Sequence, residues 1–271
     1  MRFMQRISTK LTVILYLIIL PCLTSCFLFE KKDSNSSANS KGSDGHKGRL
    51  VMFIGVDISG SFQKDKYYTD SLEFLANYIY AHLNGFGKLE SPHSLFVGSI
   101  GGAKINEAKT FFPIHSFEHL DIPSIHKKLK EIFPENVTNP MTDYNSFFKQ
   151  VAEYVESKNL VLRPISILML TDGIPDSPKK GDFRSLNLEP LEYIARNITL
   201  RVLYTSANVG KNWRTKVKRQ RVKIWTQDAN VMKDWNAPHI FIPNKPFNEQ
   251  LRFFNWINDN IDFKVRLRRV N

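Results

Sequence analysis

Hydroxyl and carboxylate side chains follow two strongly apolar segments of the chain. Asp57 comes directly after the run VMFIGV, and Ser59 and Ser61 follow it at alternate positions. A second run, ISILML, leads through Thr171 into Asp172. Short apolar runs of this kind are typical of buried strands, so a carboxylate at the end of each needs a reason. These oxygen-rich positions therefore mark a candidate site.

A third oxygen-rich segment, NPMTDYN, places Thr142 and Asp143 in a loop at the start of a predicted helix. Hydroxyls and carboxylates, without imidazole or thiolate, suit Mg²⁺ or Ca²⁺ better than zinc. Mg²⁺ accepts few carboxylates and keeps several waters, which matches this sparse set. Each residue could also serve as a helix cap or a turn former. The presence of several together favours a divalent-metal site.

The rest of the pattern predicts strands and helices in alternation. Besides the two apolar runs, strands are predicted at 94–100, 110–114, 200–204, 223–226 and 239–242, with the second of these at an edge because it contains a proline. Helical spacing falls between them. Such alternation predicts an α/β fold: a doubly wound, mostly parallel central sheet with helices on both faces. Sheets of this kind bind ligands beyond the carboxyl ends of their strands, where the oxygen-rich loops are expected.

The combined motifs resemble the metal-ion-dependent adhesion site of the von Willebrand factor A (vWA) domain. The resemblance rests on the D-x-S-x-S of Asp57, Ser59 and Ser61, on Thr142 before an aspartate, and on the T-D-G that contains Asp172. The resemblance covers roughly residues 50–263 and implies a Rossmann-like fold for this part of the chain. It implies that the three hydroxyls hold a metal and that both aspartates act directly or through water.

The same resemblance implies a function and a cofactor. The metal would be Mg²⁺, or Ca²⁺ or Mn²⁺, and the domain would bind an acidic residue of a protein partner through it. Thr142 could be replaced in this role by the nearby Thr138. The alternative is a structural scaffold in which the metal site is dispensable.

A rival motif, HSFEH, matches the H-x-x-E-H pattern of inverted zinc peptidases through His115, Glu118 and His119. That chemistry needs a helix to bring both histidines to one face. Prolines flank the motif closely, and no third ligand stands out downstream. A zinc-dependent hydrolase is therefore the remote alternative, and we expect that the protein is not an enzyme.

The first residues predict export and a lipid anchor. Residues 1–25 combine a basic start with the apolar run LTVILYLIILPCL, which is too short to span a bilayer comfortably. The run ends in L-T-S-C, which resembles the lipobox of bacterial lipoproteins and implies cleavage before Cys26 and acylation, for example by palmitate. An ordinary signal peptide or a bitopic anchor is the alternative. Residues 26–48 are then a lipidated cysteine and a polar, flexible tether.

Charge and cysteine content limit the remaining possibilities. The only cysteines are Cys22 and Cys26, so a disulfide framework or thiolate site is excluded from the predicted domain, residues 49–263. The net charge is +12, and Lys211–Lys223 holds seven basic residues in thirteen positions. This segment could contact an anionic lipid, polymer or protein, or simply be a solvated helix face; the basic tail, residues 264–271, adds to it. For a protein anchored in the bacterial envelope, nucleic acid is not an expected partner.

Overall fold

The computed structural model describes residues 48–262, except 103, 105, 136–140, 177, 178 and 195. Several predictions therefore lie outside the described residues: the signal peptide, acylation at Cys26, most of the tether, the alternative ligand Thr138, and the basic tail. Within the described part of the chain, no helix has the length and apolar character needed to cross a membrane.

A six-stranded sheet forms the centre of the described region. Its strands are β1 (Val51–Asp57), β2 (Ser94–Ile100), β3 (Phe112–Pro113), β4 (Ile165–Leu170), β5 (Ile198–Thr205) and β6 (Lys223–Asp228). The order across the sheet is β3-β2-β1-β4-β5-β6, and only β3 runs antiparallel to its neighbour. This arrangement confirms the predicted α/β fold with a mostly parallel sheet. The order reverses at β1, since β2 lies on one side of it and β4 on the other.

Helices cover both faces of the sheet. They are α1 (Gly60–Gln63), α2 (Tyr67–Leu83), α3 (Ile122–Ile132), α4 (Tyr144–Ser157), α5 (Glu189–Ile194), α6 (Ala207–Lys216), α7 (Ala229–Met232) and α8 (Leu251–Asn260). Alternate residues of β1 enter two separate apolar cores. Met52 and Ile54 pack in the core formed with α2, α3, α7 and α8, whereas Val51 and Phe53 pack in the core formed with α4, α5 and α6. A strand buried on both faces explains the continuous apolar run in the sequence.

The strand predicted at 239–242 is wrong. The backbone turns there instead, because Ile240 and Phe241 both donate their N–H groups to the carbonyl oxygen of Ala237 at 2.8 Å. The buried Gln250 side chain then bonds both the N–H and the C=O of Ile242, at 2.9 and 2.7 Å. A side chain thus supplies the partners that a neighbouring strand would have given. The predicted edge strand at 110–114 exists only as the two residues of β3.

Candidate metal site at the carboxyl edge of the sheet

Asp57 lies at the carboxyl end of β1, at the point where the strand order reverses. It is fully buried, and its two oxygens accept hydrogen bonds from the backbone N–H of Ser59 at 2.8 Å and from the Thr171 hydroxyl at 2.6 Å. Burial raises the pKa of Asp57 to about 7, and the charge of Asp172 adds to the rise, while the bonds from Thr171 and Ser59 oppose it. A buried carboxylate of this kind is stabilised by a cation beside it.

The two serines extend from Asp57 toward the second aspartate. Ser59 is buried and its hydroxyl lies 3.1 Å from the hydroxyl of Ser61, which is exposed. The Ser61 hydroxyl also lies near Asp172, where it opposes the rise in the pKa of that carboxyl. Burial raises the pKa of Asp172, and the nearby carboxylates of Asp176 and Asp65 raise it further. The sequence-predicted oxygens from the β1 and β4 loops are therefore brought together.

Thr142 reaches the same edge through a loop that is fixed on two sides. Its neighbour Met141 forms a bridge with Gly102, which donates its N–H to the Met141 carbonyl at 3.2 Å. Gly101 has φ +82, and a Cβ there would come within 2.3 Å of the same carbonyl oxygen, so glycine is required for this approach. On the other side, Asp176 accepts the Thr142 N–H at 3.1 Å and donates its own N–H to the Thr142 carbonyl at 3.3 Å.

The hydroxyl of Thr142 has no hydrogen-bond partner although it is buried. Thr142 is fully buried, and its Oγ1 is one of two buried side-chain polar atoms without a partner among the described residues. Buried hydroxyls are otherwise nearly always bonded, and an orphan one calls for an explanation such as an ion. The donor set fits a hard divalent cation: three hydroxyls, one of them unsatisfied, and two carboxylates whose pKa values are raised by burial.

Three residues beside the site, Thr171, Asp176 and Asp143, are not among the five predicted ligands. The Thr171 hydroxyl donates its single hydrogen to Asp57 and accepts hydrogen bonds from the buried Tyr144 hydroxyl at 2.7 Å and from the N–H of Gly173 at 2.9 Å. Asp176 holds the Thr142 loop. Thr171 and Asp176 both stand in the sequence motif T-D-G-x-P-D, but their place in the sequence does not show whether each holds a loop in position or binds a metal. Asp143, the aspartate after Thr142, caps α4 by accepting from Ser146.

The HSFEH motif does not form a helix. His115 lies in a 3-10 turn, Ile114–Ser116, and His119 has φ +65 in the turn that follows. The His115 Nδ1 contacts the Glu118 carboxylate at 2.7 Å, and the histidine side chain is 81% exposed. Within the described residues, no three or more His, Cys, Asp or Glu side chains are grouped as metal ligands. The motif therefore lacks the helical arrangement on which the zinc-hydrolase alternative depended.

The basic segment Lys211–Lys223 is divided between three elements. It begins in α6, passes through an exposed loop and ends at the first residue of β6. Trp213, Val217 and Val222 are buried and fix the segment to the protein, while its basic side chains are exposed or half-buried. Arg221 is held by Glu192, whose carboxylate also accepts the N–H groups of residues 220–222.

No protein-family model and no curated protein sequence matches the chain. Among solved structures, similar chains include proximal thread matrix protein 1 from the mussel byssus with a zinc-occupied MIDAS motif (13% identity, 69% of this chain, 44% of that chain, TM-score 0.41). Also similar is a von Willebrand factor type A protein from Catenulispora acidiphila (12% identity, 76% of this chain, 42% of that chain, TM-score 0.44). The same holds for the manganese-loaded TRAP protein of Plasmodium vivax (16% identity, 71% of this chain, 73% of that chain, TM-score 0.45). This chain spans less than half of the mussel and Catenulispora chains.

Proposed function

We propose that this protein is a membrane-anchored binding protein whose α/β domain holds a divalent cation and uses it to bind a protein partner. The observation that carries the proposal is the buried, unpartnered Oγ1 of Thr142 at the edge where Asp57, Ser59, Ser61 and Asp172 meet. A cation among these oxygens would satisfy the hydroxyl and offset the burial of the carboxylates. Mg²⁺ is the first choice, with Mn²⁺ and Ca²⁺ as alternatives.

The charge of the site indicates what the partner offers. Three of its five side chains are neutral hydroxyls, and both oxygens of Asp57 already accept hydrogen bonds. A cation held by so few negative ligands stays electrophilic and favours a further hard anionic oxygen. A glutamate or aspartate of the partner supplies that oxygen. Ser61 is exposed, so the site is open to such a group.

The first prediction is that Asp57→Ala and Asp172→Ala each abolish metal binding while the protein stays folded. The measurement is calorimetric titration of Mg²⁺ and Mn²⁺ into the purified full chain. Asp121→Ala is the matched control, since Asp121 caps α3 by accepting the N–H of Ser124 at 2.9 Å and lies outside the site. This control separates a cap from a ligand, because only a ligand variant should lose the metal.

Partner binding is tested by affinity capture from an envelope extract, with and without chelator. We expect a captured protein that is lost both with chelator and with Asp57→Ala, but retained by Asp121→Ala. A partner held equally in all four samples favours the scaffold, in which these residues are only caps and turn formers. Turnover that requires His115 and zinc would favour the hydrolase instead.

The anchor is proposed from the sequence alone. The L-T-S-C motif after a short apolar run supports acylation of Cys26, and more than one acyl chain is needed to hold a protein stably in a membrane. The second prediction is that Cys26→Ser releases the protein from the envelope or leaves it unprocessed. Mass spectrometry of the mature chain decides, since an unmodified chain that begins elsewhere contradicts the anchor.

A further inference from the structure

Four arginines stand at equal positions before four neighbouring strands. Each lies two residues before the first residue of its strand, and β1, β4, β5 and β6 are adjacent in the sheet. We name this set the arginine row; it consists of Arg49, Arg163, Arg196 and Arg221. Neighbouring strands are about 4.8 Å apart, so the four strand starts span about 14 Å along the amino edge of the sheet.

The arginine row borders an exposed apolar pair. Leu162 is 76% exposed and Val161 is 42% exposed, which makes them two of the four large apolar side chains exposed among the described residues. Leu162 also has φ +74, a left-handed conformation that side chains other than glycine rarely adopt. The protein thus holds a leucine in an unfavourable backbone conformation and leaves its side chain in solvent.

The arginines and the leucine share one concave surface. A cavity of about 270 Å³ is lined by Arg49, Leu162, Arg163 and Arg196, with Glu90 as its acidic member. Arg49 and Arg196 are exposed, whereas Arg221 at the end of the row is already paired with Glu192 at 3.7 Å. Apolar side chains next to arginines suit a bilayer surface, where the apolar groups enter the acyl boundary and the cations contact lipid phosphates.

The places where the described region begins and ends favour a membrane, rather than an acidic protein, as the partner of the arginine row. The described region begins at Gly48, the last residue of the predicted tether, and continues through Arg49 on this edge to Val51, whose N–H donates to the Pro164 carbonyl at 2.9 Å. It ends at Asp262, which lines a neighbouring cavity together with Leu50, Pro164 and Lys223. The candidate metal site lies at the opposite edge, about 20 Å away along the seven residues of β1.

We infer that the amino edge of the sheet docks on an anionic phospholipid bilayer, with Leu162 inserted and the arginine row against the phosphates. The choice of a bilayer rests on the lipid anchor in the proposed function. Docking in this way directs the carboxyl edge, and with it the candidate metal site, away from the membrane and toward a partner. The docking itself needs no metal.

The test uses the full processed chain in vesicles that contain phosphatidylglycerol with brominated acyl chains. Leu162→Trp places a fluorescent probe in the apolar pair, and Val161→Trp is a second probe should the first variant fail to fold. Leu251→Trp is the matched control, because Leu251 is 62% exposed but lies at the start of α8, about 14 Å from the end of that helix near Asp262. We expect brominated chains to quench the added fluorescence at 162 or 161 and to leave that at 251 unchanged.

The arginine row is tested by charge removal. Each basic residue near an anionic surface strengthens attachment about fivefold, so changing Arg49, Arg163 and Arg196 together to Gln should remove most of the quenching at position 162. The same charge change on other faces, Lys64, Lys127 and Lys130 to Gln, should leave it intact. Vesicles of phosphatidylcholine alone, with the same brominated acyl chains, should reproduce the loss seen with the arginine variant.

The outcomes separate the docking from the proposed function. A chain that floats with the vesicles but shows no quenching at 162 or 161 overturns the docking and leaves the anchor standing. A chain that does not float overturns both. The docking is expected to be the same with chelator and with Asp57→Ala, so failure of the metal site does not affect it. Quenching that ignores the arginine changes also contradicts the proposal.

Discussion

Two buried threonines at the carboxyl edge differ in one respect. The Thr171 hydroxyl has three partners, the Asp57 carboxylate, the Tyr144 hydroxyl and the Gly173 N–H, whereas the Thr142 hydroxyl has none. A buried hydroxyl that lacks a partner costs about 1–3 kcal/mol. The Thr171 hydroxyl therefore stabilises the protein without any ligand, whereas the Thr142 hydroxyl lowers the stability unless a ligand binds to it.

The third prediction follows from this difference. Thr142→Val keeps the shape of the side chain and removes the unpartnered oxygen, so without metal the free energy of unfolding should rise by about 1 kcal/mol. The variant should nevertheless lose most of the stabilisation by metal, which for the wild type is about 2.7 kcal/mol at a concentration one hundred times the dissociation constant. Denaturant unfolding with and without Mg²⁺ measures both effects.

Thr171→Val is the comparison that gives this test its meaning. It removes a donor to a buried carboxylate, so it should lower the free energy of unfolding by about 2 kcal/mol without metal. If Thr142→Val is also destabilising, and if metal stabilises it as much as the wild type, the Thr142 hydroxyl is not a ligand.

Among the elements, β1 and α4 together position the site. Asp57 ends β1, and Thr142 precedes α4 by two residues. Their separation depends on Gly55, where a Cβ would lie 2.7 Å from both the Ile100 side chain and the Phe147 ring of α4. The absence of a side chain in the middle of β1 therefore allows α4 to pack close to the sheet.

The fourth prediction is that Gly55→Ala lowers the free energy of unfolding by about 1–3 kcal/mol, because the added methyl group forces the packing of α4 apart. Ser99→Ala, a change on the neighbouring strand that adds no atoms, should stay within about 0.5 kcal/mol of wild type. Chemical denaturation of both variants is the measurement. An unchanged stability in Gly55→Ala would mean that α4 can shift freely, and that the site does not depend on this packing.

The elements also show which predictions a sequence can support. The strands at 94–100 and 165–170 have the same bounds in the structure as in the prediction. The second is buried along its whole length and the first except at Ser94 and Ser99, so both leave a strong apolar signal in the sequence. The strand predicted at 239–242 was wrong because the backbone of Ile242 forms hydrogen bonds with the side chain of Gln250 instead of with a neighbouring strand. The residues of this segment give no indication of a contact with a glutamine eight positions later. The sequence shows which residue types could bind a metal. It does not show that the Thr142 hydroxyl lacks a partner, since this depends on how three loops meet in the folded protein.

On the scale of the whole molecule, the two edges of the sheet carry different charge. Carboxylates and hydroxyls gather at the carboxyl edge, and arginines at the amino edge. A buried network stabilises the amino edge: Asp262 accepts from the Tyr78 hydroxyl at 2.9 Å, contacts the His82 Nε2 at 2.9 Å, and lies 3.6 Å from the Nε of Arg201. Arg201 also donates to the Ile261 carbonyl and so attaches the end of the described chain to β5.

The fifth prediction concerns this network and pH. Burial alone would raise the pKa of Asp262, but His82 and Arg201 outweigh it and hold the pKa below its usual value of 3.8. A carboxyl with a lowered pKa in the folded state binds fewer protons there than in the unfolded chain. Its contribution to stability is therefore complete above pH 3.8 and is lost as the pH falls through the lowered value.

Asp262→Asn should therefore destabilise the protein by roughly 3 kcal/mol at pH 7, since it leaves the buried Arg201 without its carboxylate. Below pH 3.8 the difference from wild type should shrink progressively, because protonation removes the same charge from the wild type. Asp259→Asn, an exposed change three residues earlier, should stay within about 0.5 kcal/mol at every pH. Denaturant unfolding across this range gives the difference directly. A constant deficit in Asp262→Asn from pH 7 down to acid would show that its hydrogen bonds, and not its charge, attach the end of the domain to the sheet.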